Sequence, residues 1–198
     1  MEKYLAILKT VPLFYDIDVN DIKSLLNCLS AKVENFKSKD AIFITGDKAQ
    51  YVGIVLSGKI QIVKEDFYGN RNILTSAGTG QLFGEAFACA DLKILPVSVF
   101  SVEDSEIMLI DYRKIITNCS KNCIFHSKLI YNMLCIIANK NIMLSKKMEF
   151  ISKRSTKEKL LAYLSSEAKK AGSNSFSISF SISVFCSLVK LVKSIPGK

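Results

Sequence analysis

The sequence predicts an α+β protein in which a short helical lead-in precedes a small all-β roll or jelly roll, with long helices after it. Three observations predict it. Turn signals carrying glycine recur through the first half at the intervals of a small antiparallel barrel, apolar residues in the second half recur at alternating steps of four and three, and no Pro or Gly stands between Cys119 and Ala171.

The lead-in is helical by its spacing. Leu5, Ile7 and Leu8 precede a break at Pro12, and Val19, Ile22, Leu25, Leu26 and Leu29 then follow Asp18, an N-cap candidate. From about Ala31 to Ile110 the texture is β. Gly46-Asp47, Gly53, Ser57-Gly58, Tyr68-Gly69-Asn70, Gly78 and Gly80 punctuate runs whose apolar faces are Ile42/Ile44, Ile54/Leu56, Ile60/Ile62/Leu74, Val97/Val99 and Ile107/Leu109. Gly58 suits a turn that needs a positive φ.

Beyond Asp111 one long helix can run from about Cys119 to Phe150. Along it Ile130, Leu134, Ile137, Asn141, Leu144, Met148 and Ile151 form an a/d seam, with Asn141 as the polar residue that can set register in a two-stranded coil. Two readings stand: the seam pairs with a second copy, making a homodimer, or it packs on the roll. A second helix opens at Ser155, with Glu158 at capping-box spacing, and ends near Gly172. Phe176, Ile178, Phe180 and Ile182, separated by serines, then read as a half-buried strand. These textures divide the chain at 1–118, 119–150 and 151–198.

Composition narrows the function classes. The 198 residues are 49% hydrophobic, enough for a real core, yet no run reaches a membrane span and Met1–Thr10 has no signal-peptide pattern, so a cytoplasmic protein is expected. Six scattered cysteines, Cys28, Cys89, Cys119, Cys123, Cys135 and Cys186, read as reduced, buried thiols and not as a metal framework. The net charge of +9 is uneven: residues 1–118 hold 13 Lys/Arg against 15 Asp/Glu, whereas 119–198 hold 14 against 3. The basic part can face a polyanion or simply be a solvated surface. His126 is the sole histidine, and no nucleophile-base or paired-carboxylate constellation is present, so neither a metal centre nor an enzyme is expected.

The order of these features resembles the Crp/Fnr family of bacterial transcription regulators. The likeness rests on Gly46-Asp47, the run Tyr51 to Ile62 with its Ser57-Gly58 turn, Gly69, Gly78, Gly80 and Leu82-Phe83-Gly84-Glu85, across about 150 residues. It implies a cyclic-nucleotide-binding-like β-roll (a double-stranded β-helix), a dimerisation helix and a winged helix-turn-helix. Gly84-Glu85 before Ala86-Phe87 would open a short helix whose backbone N–H groups suit an anion.

In members that bind cyclic nucleotide, that glutamate accepts from the ribose and an arginine about ten residues on pairs with the phosphate. Here the position holds Leu95, followed by Pro96 and Val97. Loss of a charge-assisted pair is worth about 1.5–3 kcal/mol, so cyclic AMP is not the expected effector. The expected site is Phe83, Gly84, Glu85, Ala86, Phe87, Leu95, Pro96 and Val97, filled either by an apolar or aromatic small molecule or by the chain's own side chains; no cofactor is expected.

The family's DNA-reading module would follow Phe180, but Ser181–Lys198 carries neither Arg nor the Asn/Gln pattern of a recognition helix. An incomplete, truncated or frameshifted winged helix is therefore expected. Lys153, Arg154, Lys157, Lys159, Lys169 and Lys170 remain as candidate contacts to DNA phosphates. Two functions follow from the resemblance: a regulator that senses an effector in the roll and binds DNA as a dimer, or a stand-alone effector-binding and dimerisation module without specific DNA binding.

Overall fold

The computed structural model describes residues 2–90, 92–117, 124–152, 155–173 and 175. The expected strand at Phe176–Ile182, the part of the expected winged-helix remnant from 176 onward, and Lys153 and Arg154 lie outside the described residues. Two compact units divide the chain, 1–137 and 138–198.

In the first unit a 3-10 turn at Glu2–Tyr4 runs into α1 (Leu5–Leu8), Pro12 opens a second 3-10 turn to Phe14, and α2 (Val19–Cys28) starts behind Asp18. Asp18 occupies the N-cap position, but its side chain makes no cap hydrogen bond. Eight strands follow: β1 (Lys32–Phe36), β2 (Ala41–Phe43), β3 (Tyr51–Ser57), β4 (Lys59–Glu65), β5 (Arg71–Gly78), β6 (Leu82–Phe83), β7 (Ser98–Ser101) and β8 (Ser105–Asp111). Between β6 and β7 lies α3 (Glu85–Cys89), and after β8 comes α4 (Tyr112–Ile116), whose N-cap Asp111 accepts from the Arg113 backbone N–H.

The strands form two antiparallel four-stranded sheets, ordered β1-β8-β3-β6 and β2-β7-β4-β5, joined where Gly58 turns β3 into β4 at φ +84°. This is the expected β-roll. Its first sheet is covered on both faces, which is why β3 reads as an almost continuous apolar run. Val52, Ile54 and Leu56 of β3, with Met108 and Ile110 of β8, join a cluster with the lead-in residues Leu8, Leu13, Phe14, Ile22 and Leu25. On the opposite face Val55, Ile107 and Leu109 meet Ile60, Ala77 and Val99 of the second sheet inside the roll. Strand alternation thus divides one sheet between two cores.

The helix α5 (Ile124–Ile151) is the long helix expected from the second half, and its residues to Ile137 belong to the first unit. In the second unit α6 (Thr156–Ala171) carries the predicted capping box: Ser155 Oγ accepts from the Glu158 N–H at 3.2 Å, and Glu158 accepts from the Ser155 N–H at 3.3 Å. Gly172, at φ +62°, ends it. No described helix is long and apolar enough to cross a membrane.

Candidate functional site

One wall of the site starts at β6. Leu82 faces the outer core and Phe83 the inside of the roll, as the two-residue period of a strand requires. Phe83 pairs in register with Gly53 of β3, and a Cβ on Gly53 would stand 2.1 Å from the Phe83 ring. The glycine is the space the ring occupies. Phe83 is 1% exposed and its ring centroid lies 5.9 Å from that of Phe43.

The chain then turns sharply through Gly84, at φ +80°, and the expected short helix α3 opens on Glu85. Glu85 is 3% exposed; burial, and after it the nearby Glu85, pushes the Cys89 thiol up from its ordinary value. Cys28, Cys89 and Cys135 are half-buried.

The facing wall is Leu95 to Val97. The Leu95 N–H donates to Asp47 O at 2.8 Å and Leu95 O accepts from the Gly46 N–H at 3.0 Å, so the Gly46-Asp47 turn pins this segment. Phe83 and Leu95 are buried in one apolar cluster, with half-buried Phe87 packed against it. Val97 is also buried, Gly84 is half-buried, and Ala86 and Pro96 are exposed.

The two arginines of the first unit are committed elsewhere. Arg71 donates to Glu65 at 2.7 Å and lies over the Phe100 ring, and Arg113 pairs with Asp111 at 2.8 Å. Burial works to raise the Asp111 carboxyl, but hydrogen bonds from Arg113 and Gln50 outweigh it and hold the group below its usual range.

On α5 the predicted seam and the face that meets the roll are different stripes. Leu129, Met133 and Ile136 are buried in the outer core, whereas Leu134, Leu144 and Met148 are 60–69% exposed. Asn141 is exposed, Ile130 and Ile137 are half-buried, and Ile137 packs partly on the outer core. The buried stripe sits one residue before the predicted one. Its i, i+4, i+7 spacing was present in the sequence as a second apolar stripe.

Sequence reasoning did not single out Asn132. It is 5% exposed, and its Nδ2 donates to Leu13 O at 3.0 Å and to Tyr15 O at 2.9 Å. Beside this, Lys128 pairs with Asp16, and His126, 2% exposed, has its Nε2 3.1 Å from Lys114 O. His126 is thus enclosed at the base of α5 and not on its surface.

Of the candidate phosphate contacts, Lys157, Lys169 and Lys170 are exposed, Lys170 pairs with Glu167, and Lys159 is 5% exposed.

Residues 33–122 match the family described as "Cyclic nucleotide-binding domain". The chain is similar to the "cAMP-dependent protein kinase regulatory subunit" of Debaryomyces hansenii, 37% identical over 73 residues, which are 37% of this chain and 15% of that one. It is also similar to the "Cyclic AMP receptor protein" of Thermus thermophilus, 28% identical over 101 residues, 51% of this chain and 45% of that one. These matches thus span less than half of either curated relative's length.

Among solved structures, the sensor domain of the transcriptional regulator DNR from Pseudomonas aeruginosa shares the fold, with a TM-score of 0.59 and 17% identity over 78% of this chain and 97% of that one. The Crp/Fnr resemblance read from the glycine-bearing motifs is borne out for the roll, and the relatives are named as regulatory proteins.

Proposed function

We propose that this chain is the sensor and dimerisation part of a non-enzymatic, cytoplasmic Crp/Fnr-type transcription regulator, which takes an uncharged apolar or aromatic effector in its roll and binds DNA as a homodimer. One observation carries the reading of the effector. Leu95, the residue at the phosphate-pairing position of the family pattern, is 4% exposed and buried with Phe83 in the roll's apolar cluster. A cyclic phosphate there would meet hydrocarbon in place of a guanidinium, and Arg71 and Arg113 are engaged with their own carboxylates.

The exposed stripe of Leu134, Leu144 and Met148 supports pairing through α5, because an apolar stripe of this length is costly to leave in water. Exposed Lys157 and Lys169 support contact with DNA phosphates. Thermal unfolding with indole, an uncharged aromatic probe, and with cyclic AMP tests the effector class. Indole at millimolar concentration should raise the Tm while cyclic AMP leaves it unchanged; the opposite pattern would overturn the reading.

A further inference from the structure

The first half of α5 carries two apolar stripes side by side, Leu129/Met133/Ile136 and Ile130/Leu134/Ile137. They differ by one residue, a rotation of about 100° of the helix. Hydrophobic burial is non-directional and scales with area, and the stripes are alike in composition, so burial alone does not decide which of them faces the roll. Yet the outcome is unequal at their centres: Leu129 is 0% and Met133 3% exposed, while Leu134 is 62% exposed and its neighbours Ile130 and Ile137 are half-buried.

We infer that Asn132 decides it, as a positioning residue that sets the rotational register of α5 and thereby leaves the Leu134 stripe for a second copy of this chain. The part about the second copy rests on the dimer reading above. Both hydrogen bonds of its amide run to backbone carbonyls of the turn after Val11, Leu13 O at 3.0 Å and Tyr15 O at 2.9 Å. Rotating the helix by one residue would pull the amide from both acceptors and leave buried polar groups unpaired, a penalty that applies to one register and not to the other. His126, six residues before Asn132 on the helix and with its Nε2 3.1 Å from Lys114 O, supports the same register from α4. The Lys128–Asp16 pair is exposed and contributes less.

The test uses the full chain with its six cysteines replaced by alanine and one reporter thiol, at Met133→Cys or Leu134→Cys, with and without Asn132→Leu. Maleimide labelling is followed at a concentration low enough for monomers to predominate. With Asn132 present, the thiol at 134 should react about a hundredfold faster than that at 133, since the latter needs local opening. In the Asn132→Leu background the two rates should converge to within about tenfold while the helical circular dichroism is retained. Asn132→Gln, which keeps an amide, should restore part of the contrast. An undiminished contrast in Asn132→Leu overturns the inference, and Leu129→Cys in place of Met133→Cys checks it where the first reporter fails to fold. Absence of dimers at high concentration would sink the dimer reading alone, because the labelling contrast is a property of one chain.

Discussion

The inside of the roll and the base of α5 are both apolar, but they reach a single arrangement by different means. In the roll, β6 and β3 present side chains alternately to two cores, so Phe83 has one place to go and Gly53 leaves it the room. Shape decides there. On α5 two apolar stripes compete for one surface, and the buried amide of Asn132 distinguishes them. Packing determines how tightly the roll is held, whereas a polar group determines which way the helix faces.

The comparison is sharpest where shape alone is removed. Phe83→Ala empties the centre of the roll and should cost about 3–5 kcal/mol in urea unfolding. Gly53→Ala drives a methyl to 2.1 Å from that ring and should cost about 1–3 kcal/mol, but clearly less when combined with Phe83→Ala, because the two changes share one space. Additive losses would show that the ring and the glycine do not compete.

The two stripes of α5 should separate next. Leu129→Ala should cost about 2–4 kcal/mol in unfolding, whereas Leu134→Ala should cost the monomer under about 0.5 kcal/mol and weaken self-association measured by sedimentation. Equal costs would mean that α5 is packed from both sides within one chain. In the second unit Ser155→Ala removes half of the capping box and should destabilise α6 by about 1 kcal/mol, read by amide exchange over Thr156–Ala162.

The smallest effect belongs to the surface carboxylates. The Lys37 ammonium and the Ser38 N–H hold the Asp104 carboxyl below its usual range, and Asp111 is held low by Arg113 and Gln50 against the pull of burial. A folded-state value below the unfolded one means that the unfolded chain binds protons first as pH falls. Their contribution is present in full above the ordinary aspartate value of about 4 and is lost as pH drops through the folded values. Unfolding midpoints should be flat from these groups between about pH 5 and 8 and decline below about pH 4, with Lys37→Met flattening part of the acid limb. A decline of the same size in Lys37→Met would remove Asp104 from the explanation.

Much of this is legible in the sequence. Alternation in Ile54/Leu56, Ile60/Ile62 and Ile107/Leu109 and the turn glycines carry the roll; Ser155 with Glu158 carries α6; and Gly84-Glu85 carries the start of α3. The register of α5 is not, because Leu129, Met133 and Ile136 recur at the same period as Ile130, Leu134 and Ile137, and periodicity cannot rank two stripes of similar composition. Nor is the role of Asn132, whose acceptors at Leu13 and Tyr15 lie far along the chain and carry no side-chain signal. The burial of Lys159 had no local signal either, since a lysine in a helix is ordinarily solvated.

The central claim is that a cyclic nucleotide-binding scaffold here holds an apolar site where an anion clamp would stand. Calorimetric titration of cyclic AMP into the protein and into Leu95→Arg tests it most directly. No binding by the unaltered chain up to about 1 mM, and measurable binding once the guanidinium is present, is the expected result. A Kd in the micromolar range for the unaltered chain would contradict it.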